Sequence, residues 1–280
     1  MSLNLLLQYL LPQHILSRLV ANIANCRTPL IKNFIIRQYC KFYRIDMVDM
    51  LEPNPINYPT FNEFFIRALK PGARPITNDQ KTIISPVDGR IGQIGQINAN
   101  LLIGAKGKNF TLEQLFADNE DAARFHNANF AILYLAPSNY HRIHMPISGK
   151  LRSMRYVPGK LFSVNPKTID RIPGVFARNE RIIVTFDTIF GTMAMVLVGA
   201  MIVGSIETSW AGVVMPNKQR SVMNWDYTKR EIVFEHGLEI ANFKLGSTVI
   251  LLFPEKAMQW NQMVQKGSPI KMGQNLGTLF

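Results

Sequence analysis

The chain has 280 residues, 47% of them apolar, and carries a formal net charge of +12. This composition excludes a disordered chain and is sufficient for a substantial core. Its two cysteines, Cys26 and Cys40, are too few for a disulfide framework, and we expect them to be reduced. The basic charge leaves three classes of partner: nucleic acid, an anionic membrane and an acidic substrate.

Three helices are predicted at the N-terminal end. Residues 3–11 and 13–25 show apolar residues at helical spacing on either side of Pro12, and a third such segment spans 29–44. No basic residue precedes the first apolar stretch, so we expect no cleaved export signal. Because no run of about 18 apolar residues occurs, we also expect no membrane-spanning helix.

The third helix has an apolar side and a basic side. The apolar side carries Ile31, Phe34, Ile35, Tyr39 and Phe42. The basic residues that precede the first acidic residue of the chain are Arg18, Arg27, Lys32, Arg37, Lys41 and Arg44. Such a helix could lie in a membrane interface or cap the core with a solvated basic face. The lack of acidic residues favours the membrane, because a soluble cap usually mixes charges to form i,i+4 pairs.

The rest of the chain predicts mainly strands. After a Pro/Asn-rich connector at 52–60, "FNEFFIRALKPGARPI" predicts a short helix ended by Pro71 and Gly72. Residues 129–137 predict a buried strand, and 181–208 predict long strands with a turn near Gly191. Long helices do not alternate with these strands. We therefore predict an α+β fold, with a mostly antiparallel β core preceded by an N-terminal amphipathic helical segment.

The stretch "FKLGSTVILLF", residues 243–253, resembles an apolar strand that is interrupted by Gly246 and Ser247. A glycine within a strand usually marks a bulge or a close backbone approach. A chemical explanation also exists, because a backbone bent at glycine would let the Ser247 hydroxyl attack the preceding carbonyl. The Gly-x-Ser-x-Gly elbow of the α/β-hydrolases is absent, which argues against an ordinary serine hydrolase.

Two further motifs supply groups that could activate this hydroxyl. "YHRIHMP" contains His141 and His144 just after the strand at 129–137, and "SPVDGRI" contains Asp88. A histidine held by a carboxylate can serve as the base for a hydroxyl nucleophile. The plainer explanations are a packed and a solvated histidine, and an Asp-Gly turn. His-x-x-His is also a weak metal pattern, but no other ligand motif supports it and we assign no metal ligand.

These motifs, together with "FFIRALKPGARPI" and "YVPGKLFSVNP", resemble the phosphatidylserine decarboxylase proenzymes of the short bacterial, pyruvoyl-dependent kind. The similarity extends from about Phe61 to the C-terminus. It implies that the chain cuts itself between Gly246 and Ser247, giving a β chain of residues 1–246 and an α chain of residues 247–280. Ser247 would become a pyruvoyl group. This cofactor would form a Schiff base with phosphatidylserine and accept electrons as CO2 leaves, giving phosphatidylethanolamine.

The resemblance also implies separate roles for the two histidines. Asp88, His144 and Ser247 would form the self-cleavage triad, and His141 would serve decarboxylation. We expect residues 141–144 to form a turn or short helix, so that both rings reach one pocket. Residues 1–60 would form a membrane-associating helical segment and residues 61–280 the decarboxylase core.

The implied partners are phosphatidylserine, an anionic membrane surface and the two chains of one precursor, without nucleic acid; a homodimer is left open. The expected location is the cytoplasmic face of the bacterial membrane, as a peripheral protein. Three alternatives remain. A membrane-docked β scaffold without chemistry predicts an intact chain, and a His-x-x-His metalloprotein predicts bound metal. A pyruvoyl decarboxylase of a soluble amino acid leaves the acid-free helices unexplained.

Overall fold

A computed structural model describes residues 13–98, 101–102, 110–200, 205–215, 221–244 and 247–280. Its helices are α1 Gln13–Ala24, α2 Pro29–Tyr43, α3 Phe61–Phe65, α4 Leu112–Phe116, α5 Asn119–Ala123, α6 Pro166–Ile169 and α7 Val175–Arg178, with a 3₁₀ turn at Pro55–Asn57. The two helices predicted at 13–25 and 29–44 are thus confirmed to within one residue. The helix predicted at 3–11 lies outside the described residues.

The strands account for most of the regular structure. They are β1 Thr82–Ile84, β2 Gly89–Gln96, β3 Leu101–Leu102, β4 Phe110–Thr111, β5 Asn129–Leu135, β6 Arg142–His144, β7 Gly149–Val157, β8 Arg181–Thr188, β9 Gly191–Val198, β10 Ser205–Thr208, β11 Gly212–Met215, β12 Met223–Asp226, β13 Val233–Phe234, β14 Glu239–Lys244, β15 Ser247–Phe253, β16 Met258–Trp260, β17 Pro269–Ile270 and β18 Asn275–Leu279. The strands predicted at 129–137 and 181–208 are present, and the turn before Gly191 joins β8 to β9.

The strands of the described residues form one large sheet and three smaller ones. The large sheet has the order β12-β7-β8-β9-β15-β5-β2-β17, with β13 beside β7, and a second sheet has the order β11-β10-β14-β6. The third sheet is β1-β18-β16, and β3 pairs with β4. The pairings between these strands are antiparallel. The predicted α+β class with an antiparallel core is therefore confirmed.

The large sheet is buried on both faces, which explains the continuous apolar run in β15. Val249 and Leu251 pack with Ile143 and Phe243 of the second sheet. Ile250 and its neighbours on the opposite face pack with α4 and α7. A strand covered on both sides needs apolar residues at successive positions rather than at alternate ones.

The interruption in "FKLGSTVILLF" is a change of sheet. Phe243 belongs to β14, which pairs with β10 and β6 in the second sheet. Ser247 opens β15, which pairs with β5 and β9 in the large sheet. The prediction of one interrupted strand was therefore wrong, because the chain leaves one sheet and enters another within this motif. Gly246 lies outside the described residues.

Helix α3 is shorter than predicted. The Thr60 hydroxyl caps its start by accepting a hydrogen bond from the Glu63 amide at 3.1 Å. The helix ends at Phe65, well before Pro71 and Gly72. The physical reason is that Leu69 forms an isolated β-bridge with Met50, which requires an extended backbone.

Helices α1 and α2 pack on α3 and leave a large apolar area exposed. Ile36 of α2 is buried against Phe61, Phe64 and Phe65. Between 48% and 85% of the surface stays exposed at Leu19, Ile23, Leu30, Ile31, Phe34 and Phe42. We call these six residues the exposed apolar set. Cys26 and Cys40 are free.

Three predicted positions on α2 need correction. Ile35 and Tyr39 pack inward against the α3 cluster instead of joining the exposed apolar side. The Tyr39 hydroxyl donates to the Pro137 carbonyl at 2.9 Å, which holds the helix to the core. Lys32 is buried as well, because its ammonium donates to the Ile56 carbonyl at 2.7 Å. It is therefore not part of an exposed basic side, whereas Arg37, Lys41 and Arg44 are exposed.

No helix among the described residues is both long enough and apolar enough to cross a membrane.

Candidate active site

Ser247 occupies the first position of β15, opposite Leu135 of β5. Its backbone therefore lies at the start of a strand whose residues 248–253 are buried, and Lys244, three positions earlier, belongs to the second sheet. This placement suits a hydroxyl that must meet the peptide bond preceding it.

Asp88 lies in the loop between β1 and β2 and is buried. Its two carboxylate oxygens accept from Arg74, with the Nε atom at 3.1 Å and Nη2 at 2.6 Å. The Met272 amide also donates to Oδ1 at 2.8 Å. Arg74 reaches Asp49 as well, at 2.7 Å. A carboxylate with this many donors is held in one orientation.

His144 is the last residue of β6 and is 9% exposed. Its Nδ1 lies 2.8 Å from the Gly237 carbonyl, and its Nε2 lies 2.8 Å from the Tyr140 hydroxyl. Because a carbonyl only accepts, Nδ1 carries the proton and Nε2 accepts from Tyr140. Burial lowers the pKa of His144 below its ordinary value. The ring is therefore a neutral base whose lone pair is on Nε2.

His141 precedes β6 and is fully buried. Its Nδ1 donates to the Asn139 carbonyl at 2.8 Å, and its ring centroid lies 4.1 Å from that of Phe65. Burial, reinforced by the positive charge of Arg67, lowers the pKa of His141 to about 3. Its Nε2 has no hydrogen-bond partner within the described part of the chain. A buried acceptor left open in this way is costly and often marks a functional group.

Arg67 shapes the surroundings of His141. It is 1% exposed, and its Nη2 donates to the carbonyls of Ser138 and Asn139 at 2.9 and 3.1 Å. The guanidinium therefore holds the same backbone segment that orients the His141 ring. A buried cation beside an imidazole also disfavours a second positive charge there.

Backbone hydrogen bonds bring the three predicted segments together. The His144 amide donates to the Pro86 carbonyl at 2.9 Å, which joins β6 to the loop that carries Asp88. The Phe243 amide donates to the His141 carbonyl at 3.0 Å, four residues before Ser247. Four residues span at most about 14 Å. The sequence motifs therefore do converge on one region of the molecule.

The side chains are arranged differently from the prediction in two respects. Residues 142–144 form a strand, not the expected turn or short helix, because they pair with β14. The two rings consequently have separate surroundings, one against Phe65 and the other against Tyr140. The Asp88 carboxylate binds Arg74 and the Met272 amide, and does not contact the His144 ring in this structure.

Sequence reasoning missed Tyr140, Arg67 and Arg74 as parts of the site. Each lies within a quoted motif, and Tyr140 directly precedes His141, but none has a spacing that reveals its partner. The signal that could have identified the arginines is their position in a segment that also contains many apolar residues. A charge placed there needs a buried acceptor.

The described residues contain no group of three or more His, Cys, Asp or Glu side chains that could hold a metal ion. Two buried polar atoms, His141 Nε2 and Thr248 Oγ1, have no hydrogen-bond partner among the described residues. Thr248 directly follows Ser247, and the β14 backbone ties His141 to the same region.

Comparison with known proteins identifies the family of the chain. A family model described as phosphatidylserine decarboxylase matches residues 61–278, and a second, described as PSD, matches residues 3–44. The phosphatidylserine decarboxylase proenzyme of Marinobacter nauticus is 50% identical over 99% of this chain and 98% of its own length. The proenzyme of the same name from Hahella chejuensis is 46% identical over 99% and 94%, respectively.

A third relative is similarly close. The phosphatidylserine decarboxylase proenzyme of Bordetella pertussis is 48% identical over 96% of this chain and 92% of its own length. The family model covers most of the β core, and the relatives cover nearly the whole chain. The resemblance drawn from the sequence motifs is confirmed: the chain belongs to the phosphatidylserine decarboxylase family.

Proposed function

We propose that this chain is a self-cleaving proenzyme whose mature form removes CO2 from phosphatidylserine. Family membership supports this reaction, since relatives of nearly equal length are named phosphatidylserine decarboxylase proenzymes. The position of Ser247 at the crossing between two sheets supports cleavage at this residue. The reaction class is that of a carboxy-lyase.

In the first step, the Ser247 hydroxyl attacks the Gly246 carbonyl. A C–O bond forms, the C–N bond breaks, and the chain becomes an ester with a free amine on Ser247. His144 Nε2 takes the hydroxyl proton and returns it to the leaving nitrogen. β-Elimination then releases Gly246 as a carboxylate, and hydrolysis of the resulting enamine releases ammonia. These steps give the two chains 1–246 and 247–280 and the pyruvoyl group.

Tyr140 sets a condition on this step. Its hydroxyl donates a hydrogen bond to Nε2 of His144. This hydrogen bond must break before Nε2 can accept the proton of the Ser247 hydroxyl. The Gly237 carbonyl fixes the tautomer that keeps the lone pair on Nε2 throughout. Asp88 supports the His144 base through its negative charge. It also lies in the same loop as Pro86, whose carbonyl accepts a hydrogen bond from the His144 amide.

In the mature enzyme, the pyruvoyl group supplies an electron-withdrawing carbonyl that stabilises the charge left when CO2 departs. His141 supplies proton transfer. Its low pKa keeps the ring neutral at pH 7 and makes it a weak base, so the open Nε2 accepts a hydrogen bond from the substrate ammonium and takes its proton only as the amine reacts. The protonated ring then returns a proton to the carbon that lost CO2. The Arg67 charge favours this return, because it disfavours a second cation beside it.

The N-terminal helices are proposed to bind the membrane that contains the substrate. The exposed apolar set lies on α1 and α2, the same helices that carry Arg37, Lys41 and the nearby Arg44. Apolar insertion combined with basic charge is typical of helices at an anionic interface. We place the enzyme at the cytoplasmic face of the bacterial membrane. Residues 1–60 would form this segment and 61–280 the catalytic core.

Membrane binding can be tested with phosphatidylglycerol vesicles. Ser replacement of Leu30 and Phe34 should reduce sedimentation with vesicles, because insertion contributes about 0.8 kcal/mol per buried methylene. Gln replacement of Arg37, Lys41 and Arg44 should remove most of the salt dependence. Lys32→Gln is the control for charge, since its ammonium is buried and bound to Ile56. Vesicle binding that survives both groups of substitutions would contradict the proposed surface.

Cleavage and decarboxylation can be tested by gel mobility and by formation of phosphatidylethanolamine. Ser247→Ala should stay whole and inactive. The matched control is Thr248→Val, which removes the neighbouring hydroxyl; the Thr248 oxygen has no partner in the described structure, so the substitution should be tolerated. A wild-type chain that is intact and also forms phosphatidylethanolamine would refute the pyruvoyl mechanism. An intact chain without activity would favour a membrane-docked scaffold.

A further inference from the structure

The loop at residues 136–141 connects two parts of the candidate active site. It starts directly after the β5 residue that is opposite Ser247, and it ends at His141, just before β6. Within the loop, the Ala136 amide donates to the Asn139 side-chain oxygen at 2.7 Å, and the Asn139 amide donates to the Ala136 carbonyl at 2.9 Å. The loop is therefore a tight turn, and the Asn139 carbonyl that it presents holds the His141 ring.

Three successive carbonyls of this loop accept hydrogen bonds from side chains of the N-terminal part of the chain. The Tyr39 hydroxyl donates to the Pro137 carbonyl at 2.9 Å. Arg67 Nη2 donates to the carbonyls of Ser138 and Asn139 at 2.9 and 3.1 Å. Tyr39 lies on α2, and Arg67 lies two residues after the end of α3. The position of the loop therefore depends on the position of these two helices.

A second route joins Tyr39 to His141 through aromatic rings. The Tyr39 ring lies in the α3 cluster, with its centroid 4.9 Å from that of Phe61 and 6.1 Å from that of Phe65. The Phe65 ring in turn has its centroid 4.1 Å from that of His141. Ring pairs at such separations favour particular relative orientations. Tyr39 therefore restrains His141 in two ways, through the Pro137 carbonyl and through the Phe65 ring.

The opposite side of α2 belongs to the exposed apolar set. Leu30, Phe34 and Phe42 are exposed on this helix, whereas Ile35 and Tyr39 pack inward. Both sides are carried by one continuous helix of 15 residues. Helix α2 therefore lies between the proposed membrane surface and the loop that ends at His141.

We propose that Tyr39 is a positioning residue for decarboxylation, which acts on His141 through the 136–141 loop and makes α2 a part of the active site as well as a membrane helix. The inference rests on the proposed function. His141 must meet the substrate with its open Nε2, and a small displacement of a proton-transfer group lowers the rate strongly. His144 is held separately, by the pairing of β6 with β14 and by the Gly237 carbonyl. Loss of the Tyr39 hydroxyl should therefore affect decarboxylation more than self-cleavage.

Tyr39→Phe tests this role in the full-length chain, because it removes the bond to Pro137 and keeps the ring. The substrates are dihexanoyl phosphatidylserine dissolved as monomers, and phosphatidylglycerol vesicles that contain phosphatidylserine. Gel mobility should show complete self-cleavage. The kcat per cut chain should fall about tenfold, and KM for the monomers should stay unchanged. The acidic limb of the kcat profile should move to higher pH, because a less enclosed His141 ring has a pKa nearer its ordinary value of 6.5.

Tyr58→Phe is the matched control. The Tyr58 ring packs on Phe64 in the same cluster, with centroids 5.7 Å apart, and its hydroxyl donates to the Glu52 carbonyl at 3.0 Å. The substitution thus removes the same kind of hydrogen bond, but its acceptor lies outside the 136–141 loop. It should lower the urea midpoint about as much as Tyr39→Phe does, and leave kcat and the pH profile unchanged. Equal kcat values in the two variants would overturn the proposal.

Vesicle sedimentation separates positioning from membrane binding. Tyr39 packs inward, so Tyr39→Phe should bind phosphatidylglycerol vesicles as the wild type does and lose activity on both substrates. A loss of activity that is confined to vesicles and accompanied by weaker sedimentation would contradict the proposal, because Tyr39 would then act through membrane binding alone.

Failure of this proposal is distinguishable from failure of the proposed function. Wild-type protein that cuts itself and forms phosphatidylethanolamine, with Tyr39→Phe indistinguishable from Tyr58→Phe, refutes the positioning role alone. Wild-type protein that forms no phosphatidylethanolamine from either the monomers or the vesicles refutes the proposed function.

Discussion

His141 and His144 lie three positions apart in one motif, yet the fold gives them different chemical properties. The His144 ring has a partner on each nitrogen, the Gly237 carbonyl and the Tyr140 hydroxyl. The His141 ring has one partner, the Asn139 carbonyl, and a buried cation nearby. Both rings are neutral bases, but one is held in a hydrogen-bonded chain and the other has an open nitrogen.

This difference suggests why one motif can serve two reactions. A base that acts once, on the protein's own backbone, can be held in reserve by a partner such as Tyr140. A base that acts in every turnover needs an open nitrogen facing the substrate. We therefore propose that His144 serves self-cleavage and His141 serves decarboxylation, and each proposal can be tested by removing one ring.

His144→Ala should have the largest effect. Without the base at Nε2, the rate of self-cleavage should fall by about 10² to 10⁴, which leaves a full-length chain that lacks the cofactor and is inactive. Gel mobility over several hours measures this. Tyr140→Phe is the control, since it removes the partner of Nε2 and keeps the base. A His144→Ala chain that is cut at the normal rate would contradict the assignment.

His141→Ala should separate the two reactions. The chain should still be cut at Ser247, but phosphatidylethanolamine formation should fall by about 100-fold or more, because proton transfer is lost. The readouts are gel mobility and product analysis on the same sample. His126→Ala, at an exposed histidine, serves as the control. Normal turnover by the cut His141→Ala enzyme would show that the open nitrogen is not used.

Asp88→Asn tests whether the carboxylate supports His144 from a distance. We expect cleavage to slow by about tenfold, a loss of about 1.4 kcal/mol in the activation step, because the charge near the His144 ring is lost. Arg74→Gln keeps the Asp88 charge but leaves it buried without its bidentate partner, which should cost about 3–5 kcal/mol of stability. If Asp88→Asn cuts normally and loses only stability, the carboxylate is a structural partner of Arg74.

The pH dependence of stability should show the smallest effect. The pKa of His141 in the folded chain is about 3, below its ordinary value of about 6.5. Below pH 6.5, His141 therefore binds a proton in the unfolded chain but not in the folded chain. The stability that the neutral His141 ring contributes is therefore fully present above pH 6.5 and is lost as the pH falls toward 3. At pH 5 the loss is about 2 kcal/mol. Urea unfolding of Ser247→Ala with and without His141→Leu measures it; equal pH slopes would contradict a neutral buried ring.

Much of the fold and the site was predictable from the sequence. Val249 to Phe253 form a continuous apolar run, which predicted a buried strand, and the structure shows that both of its faces are covered. The motifs that contain Asp88 and His144 are joined by the hydrogen bond from the His144 amide to the Pro86 carbonyl, whereas the catalytic roles of Asp88, His141 and His144 stay predictions. Helical periodicity located α1 and α2, because spacing depends only on local geometry.

Contacts between distant residues were not predictable. Nothing in the sequence shows that Lys244 and Ser247 belong to different sheets, since both strands have the same apolar character. The pairing of Asp88 with Arg74, and of His144 with Tyr140, depends on side-chain directions that are set by tertiary packing. Lys32 was also not predictable. Its position on α2 suggested an exposed cation, but its ammonium is buried because it donates to the Ile56 carbonyl.

The central claim is that Ser247 becomes the cofactor, and a denaturing mass spectrum of the purified wild-type chain tests it most directly. We predict two species, residues 1–246 and residues 247–280. The smaller species should be lighter than the unmodified peptide by the mass of one ammonia, and its N-terminus should be blocked to sequencing. A smaller species with an unmodified serine, or a single intact chain in a preparation that forms phosphatidylethanolamine, would contradict the account.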